Sequence, residues 1–105
     1  MEKNMKEISV YFKYFDYENI GYDCEYLSDE IRSYYDLDKK TEIDTSCFEI
    51  SEELGRIFPL PIYLEVDERL TRKEIKEIIK SEIKSEFGFD IPETEYWYEC
   101  EWKDN

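Results

Sequence analysis

The chain has 105 residues, with 14 Lys plus Arg against 28 Asp plus Glu and no His, a formal net charge of −14. That length holds one domain around one core, and the lack of His excludes Ser-His and Cys-His nucleophilic pairs and the usual general base near neutral pH. A composition 41% hydrophobic and 17% aromatic excludes an acidic disordered tail, which is poor in aromatic and β-branched residues.

In chain order, residues 7–15 alternate, with Ile8, Val10, Phe12 and Tyr14 on one face and Ser9, Tyr11, Lys13 and Phe15 on the other, which predicts a strand. A turn is expected around Asn19-Ile20-Gly21. Cys24, Leu27, Ile31 and Tyr34 or Tyr35 then recur at helical spacing over roughly residues 23–35, with Asp23 as N-cap. Residues 41–50 read as a second strand of imperfect alternation, which a bulge could reconcile. Ser51 to Leu54 suggest one helical turn, and Pro59 and Pro61 break regular structure. Residues 62–67 predict a third strand with Ile62, Leu64 and Val66 inward. Residues 72–87 predict a helix that starts in a Thr71/Glu74 capping box and stops at Gly88, with Phe89 folding back. Its apolar stripe is Ile75, Ile78, Ile79, Ile83 and Phe87. Residues 93–102 predict the last strand, with Thr94, Tyr96, Tyr98, Cys100 and Trp102 on one face and Glu93, Glu95, Trp97, Glu99 and Glu101 on the other.

The order β-α-β-β-α-β predicts a single α+β domain over residues 1–105 with a ferredoxin-like arrangement: a four-stranded antiparallel sheet, two helices on one face, the other face open. No apolar run approaches the about 20 residues that span a bilayer. The mixed-charge N-terminus precedes no signal-peptide core, and anionic lipid would repel so acidic a surface. A soluble, cytoplasmic protein without membrane contact is expected.

Catalysis has little to stand on. Gly21, Gly55 and Gly88 are isolated, so no phosphate loop exists. Asp36, Asp38, Glu42 and Asp44 begin like a calcium loop, but Thr41 and Cys47 stand where its glycine and final glutamate belong, and a solvated turn is expected. Cys24, Cys47 and Cys100 form no Cys-x-x-Cys unit and are expected as buried free thiols. No catalytic group, metal or cofactor is therefore expected.

The charge is unevenly placed. Residues 16–53 hold 13 acids and 3 bases and residues 89–105 hold 6 acids and 1 base, whereas residues 54–88 hold 7 of each. A small domain needs a net charge of only about 2–8 for solubility, and the excess opposes compaction. A basic partner is the simplest use. On a strand, Glu93, Glu95, Glu99 and Glu101 would line one face with Trp97 among them and Tyr11 and Phe15 beside them, a surface suited to Arg and Lys. Asp23, Glu25 and Asp29 with Tyr22 and Tyr26 form a second candidate surface, since Tyr is a common interface residue. Direct nucleic-acid binding is disfavoured, because the basic residues of the second helix are diluted by glutamates.

These two acidic blocks, with their Tyr and Trp, make the chain resemble small phage-encoded anti-defence proteins, the anti-CRISPR and DNA-mimic anti-restriction proteins. The class shares no motif, so the resemblance transfers no residue by position. It implies an inhibitor acting in the host cytoplasm that fills the basic channel of a nuclease, first a CRISPR-Cas effector and second a restriction enzyme. The alternative is an immunity, antitoxin or regulatory module for one basic partner. An enzyme using a carboxylate pair ranks third. Monomer and homodimer both stay open, although glutamates on the open face oppose symmetric pairing.

Overall fold

A computed structural model describes residues 5–17 and 24–102, with the side chains of residues 24, 25, 101 and 102 outside the description. The chain is α+β, with two α-helices and two three-stranded antiparallel sheets among the described residues. Its elements are β1 (Met5–Phe12), β2 (Phe15–Asp16), α1 (Cys24–Tyr34), β3 (Phe48–Ser51), β4 (Arg56–Pro59), β5 (Ile62–Asp67), α2 (Arg72–Phe87) and β6 (Tyr96–Trp102). The first sheet has the order β5-β1-β6 and the second β2-β4-β3. No helix among the described residues is long and apolar enough to cross a membrane.

The expected four-stranded sheet is not found, and the departure has two local causes. The first lies in the predicted strand over residues 7–15, where Lys13 and Tyr14 are both exposed and shift the alternation by one residue. The Lys13 N–H still donates to the Glu95 carbonyl at 2.9 Å. Tyr14 then lies against Phe58, with the Arg56 guanidinium 4.2 Å from its ring centroid. Phe15 consequently turns inward, 4% exposed, and pairs in the second sheet rather than joining the open face.

The second cause is the hairpin partner of β3. Asp44 caps a 3-10 turn at Thr45–Cys47, its carboxylate accepting the Ser46 N–H at 3.1 Å, so pairing begins only at Phe48. This turn, not a bulge, shifts the phase between Cys47 and Phe48. β3 then pairs with β4, and residues 52–55 form the intervening turn where one helical turn was expected. Pro59 is tolerated in β4 because the Leu60 N–H donates to the Cys47 carbonyl at 2.9 Å, so the Pro59 nitrogen faces away from β3, toward the side where β2 has already ended.

The local signals of α2 hold. Thr71 and Glu74 form the reciprocal capping box, Gly88 closes the helix at φ 83°, and Phe89 packs back on Phe87 at 6.1 Å. Ile75, Ile79, Ile83 and Phe87 are buried, as are Ile8, Val10, Phe12 and Val66 of the first sheet. An aromatic seam ties the parts together. Phe87 packs edge-on against Phe12 at 5.1 Å and against Phe48 at 5.4 Å; Phe89 meets Tyr35 at 5.4 Å, and Tyr34 stacks on Phe15 at 4.1 Å. Such ring pairs contribute roughly 0.5–1.5 kcal/mol each beyond their buried area. The seam accounts for much of the aromatic content, including Tyr34 and Tyr35. Cys47 is half-buried and Cys100 exposed, both as free thiols, in place of the burial expected of them, and the side chain of Cys24 lies outside the description.

Candidate protein-interaction face

Strand register sorts the first sheet into two unlike faces. β1 pairs antiparallel with β5 (Glu7 opposite Glu65, Ser9 opposite Tyr63) and with β6 (Glu7 opposite Glu101, Ser9 opposite Glu99, Tyr11 opposite Trp97). The inner face carries Ile8, Val10, Phe12, Ile62, Leu64, Val66, Tyr96 and Tyr98 toward the core. The other face has ten strand positions: Met5, Glu7, Ser9, Tyr11, Tyr63, Glu65, Asp67, Trp97, Glu99 and Glu101. Five of the ten are acids and none is Lys or Arg.

That face is graded along the strands. At one end Tyr11 and Trp97 lie side by side, ring centroids 6.0 Å apart. The next row runs Tyr63, Ser9, Glu99, and the row after it Glu65, Glu7, Glu101, with strands about 4.8 Å apart and rows about 6.8 Å apart. Tyr63 is 61% and Trp97 48% exposed, large rings left at the surface among carboxylates. Asp67 sits at the far end and is already matched, its two oxygens meeting Arg69 at 3.2 and 3.0 Å.

The residues expected in the acidic line divide. Trp97 and Glu99 lie on the open face, and Glu101 has its register position there. Glu93 and Glu95 do not, because Pro92 precedes a 3-10 turn at Glu93–Glu95 and β6 begins only at Tyr96. Glu95 instead accepts a 2.8 Å hydrogen bond from the Tyr34 hydroxyl, tying the end of α1 to the start of β6. Partial burial, then that bond and the carboxylate charge, push Tyr34 up to about 12. Of the second surface, Asp29 is exposed on α1 and takes a 3.1 Å ion pair from Arg32, and Tyr26 is exposed. Glu25 lies within α1, its side chain outside the description, and Tyr22 and Asp23 fall outside the described residues.

Sequence reasoning missed Glu7, Tyr63 and Glu65 as members of the face. The signal was present: with Ile62, Leu64 and Val66 inward, period two places Tyr63 and Glu65 outward, and Glu7 shares the parity of Tyr11. Two of the four acids in the segment that begins like a calcium loop have backbone tasks. Asp38 accepts the Lys40 N–H at 2.9 Å, and Asp44 caps the 3-10 turn, bonds that hold its carboxyl below the usual carboxylate range. Among the described residues no group of three or more Cys, Asp or Glu is arranged to hold a metal ion. Comparison of the chain with protein-family models, curated proteins and solved structures finds no match in any of the three.

Proposed function

We propose that this chain is an acidic inhibitor whose open sheet face occupies the basic nucleic-acid-binding surface of a host defence nuclease, a CRISPR-Cas effector before a restriction enzyme, and blocks DNA or RNA binding by charge mimicry. The observation that carries the reading is the segregation of charge across one sheet, five acids and no base on ten open-face positions against an apolar inner face. Carboxylates on strands are spaced by a rigid ladder, so they meet a partner's Arg and Lys without first ordering a loop, which lowers the entropic cost of binding. Tyr11, Tyr63 and Trp97 supply ring faces on which guanidinium groups stack. The partner's cations, normally paired with phosphates, pair with Glu7, Glu65, Glu99 and Glu101 instead.

The test is a triple charge reversal, Glu7→Lys, Glu99→Lys and Glu101→Lys, assayed by retention of a nuclease complex from cells carrying CRISPR and restriction systems. Retention by the wild type should fall at high salt and be competed by DNA or guide RNA, because surface charges beyond about 8 Å are screened at physiological ionic strength. The reversal should weaken retention by more than about tenfold, given the coupling energies of close interfacial charge pairs. Undiminished retention by a folded triple variant would sink the assignment of this face.

A further inference from the structure

We propose that the outer edge of β6 is a docking site at which an extended basic segment of the partner joins the first sheet as an added strand. The inference rests on the reading of the acidic face as the partner surface and adds to it a backbone mode of engagement.

Among the described residues β6 pairs with β1 alone. The Lys13 N–H donates to the Glu95 carbonyl, which sets the phase of the ladder. Positions 97, 99 and 101 therefore turn their backbone groups toward β1, and Tyr96, Tyr98 and Cys100 turn theirs outward. An edge of this kind is a template for another strand. β6 is seven residues long and contains no Pro or Lys, two common means of blunting an edge, and its charges are the acids Glu99 and Glu101, which repel a second acidic strand but not a basic one. Its inner flank is also unfilled. A cavity of about 270 Å³ is lined by Lys76, Ile79, Glu93, Tyr96, Trp97 and Tyr98, and another of about 450 Å³ by Lys6, Leu70, Arg72, Ile75, Tyr98 and Cys100. The first is lined by α2, β6 and the turn before β6 with no residue of β1, beside the path of an added strand, whereas the second takes in Lys6 of β1 and lies under the sheet.

Charge selects the occupant. Side chains of an added strand alternate between the two faces. Those on the open face meet Trp97, Glu99 and Glu101, and Arg or Lys matches them. Those on the inner face enter the cavity beside Ile79 and need apolar groups. A second copy fits poorly, because antiparallel β6-to-β6 pairing sets Glu99 and Glu101 of one chain beside those of the other. The partner segment is thus a strand with a cation at every second residue, a mode in which main-chain bonds give affinity and alternate side chains give specificity.

The probe is a seven-residue peptide in which Arg alternates with Val, compared with a scrambled isomer and with two versions N-methylated on the Arg set or on the Val set. Affinities are measured by calorimetry at low and high salt, for the wild type and for Cys100→Pro. That substitution removes an outward N–H and leaves the ladder to β1 whole, and a melting curve near that of the wild type checks its fold. The alternating peptide should bind, and methylation of one set should weaken it about tenfold or more while methylation of the other changes little. Cys100→Pro should weaken it comparably. Equal affinity for the parent, the scrambled and both methylated peptides overturns the edge inference and leaves the acidic face standing. Binding that keeps its methylation pattern but ignores both salt and Glu99→Gln supports the edge and overturns the acidic-face reading. No binding by any peptide at low salt overturns the inference.

Discussion

Asp36 stands at φ 53°, in the left-handed region where glycine usually ends a helix. The Leu37 N–H donates to the Arg32 carbonyl at 2.8 Å and the Asp36 N–H to the Ser33 carbonyl at 3.3 Å, the double closure of a Schellman turn. An L-residue there is strained by roughly 1–2 kcal/mol, somewhat less for Asp, and glycine's greater freedom in the unfolded chain offsets part of the relief. Asp36→Gly should raise stability by about 0.5 kcal/mol, read as a higher urea midpoint at unchanged slope. Tyr35 offers a second site, since its hydroxyl is buried without a hydrogen-bond partner among the described residues and that burial holds its proton on well above the usual tyrosine range. Tyr35→Phe keeps the ring contacts with Phe15 and Phe89 and removes the unpaired group, so stability should rise by about 1 kcal/mol. A lower melting temperature would mean that a partner satisfies the hydroxyl. Tyr34 adds a pH dependence. Its folded-state value of about 12 lies above the unfolded one near 10, so its contribution is complete below about pH 10 and is lost as pH rises toward 12. The comparison that isolates Tyr34 from everything else that alkali changes is with Tyr34→Phe, whose melting temperature should decline less between pH 9 and 11.

At the scale of elements, what could be read from the sequence follows how local the determining forces are. α2 carries its start, stripe and stop within its own residues, and the structure places all three where the pattern puts them. Thr71→Ala should cost about 1 kcal/mol by removing one half of the capping box, measurable as a lower denaturation midpoint. β5 was legible for the same reason. The β1-to-β2 crossing was not, because alternation through Lys13 and Tyr14 is unbroken on paper. What breaks it is Tyr14 meeting Arg56 and Phe58, more than 40 residues away. The separation of β3 from the first sheet was hidden similarly, since Pro59 argues against a strand until the direction of its nitrogen is known. The candidate site shares this division. Trp97, Glu99 and the position of Glu101 follow from period two within one strand. Glu95 is lost to the face because a 3-10 turn holds Glu93–Glu95 before β6 begins, where its carboxylate accepts from Tyr34 of α1 at the surface, and Tyr63 and Glu65 enter because β5 pairs with β1.

For the whole molecule, the proposed use of the open face conflicts with the stability of the sheet that builds it. Glu65, Glu7 and Glu101 stand directly opposite one another across three strands, Glu7 in the middle. Like charges in opposed positions are destabilising, by a few tenths of a kcal/mol up to about 1 kcal/mol. The repulsion in this row is a cost to the sheet, and a surface that must attract cations gains from it. Salt should therefore act in opposite directions on two observables. Raising ionic strength screens the row and should raise the melting temperature of the free chain, while the same screening should weaken its hold on a basic partner. Glu7→Gln condenses the argument into one side chain, because it relieves both cross-strand oppositions at once. It should stabilise the free chain by about 0.5 kcal/mol, make its melting temperature less sensitive to salt, and bind the partner more weakly. If Glu7→Gln destabilises the chain, Glu7 holds the sheet together and the row is structural. If it stabilises the chain and leaves partner binding intact, the acidic row is not the contact surface.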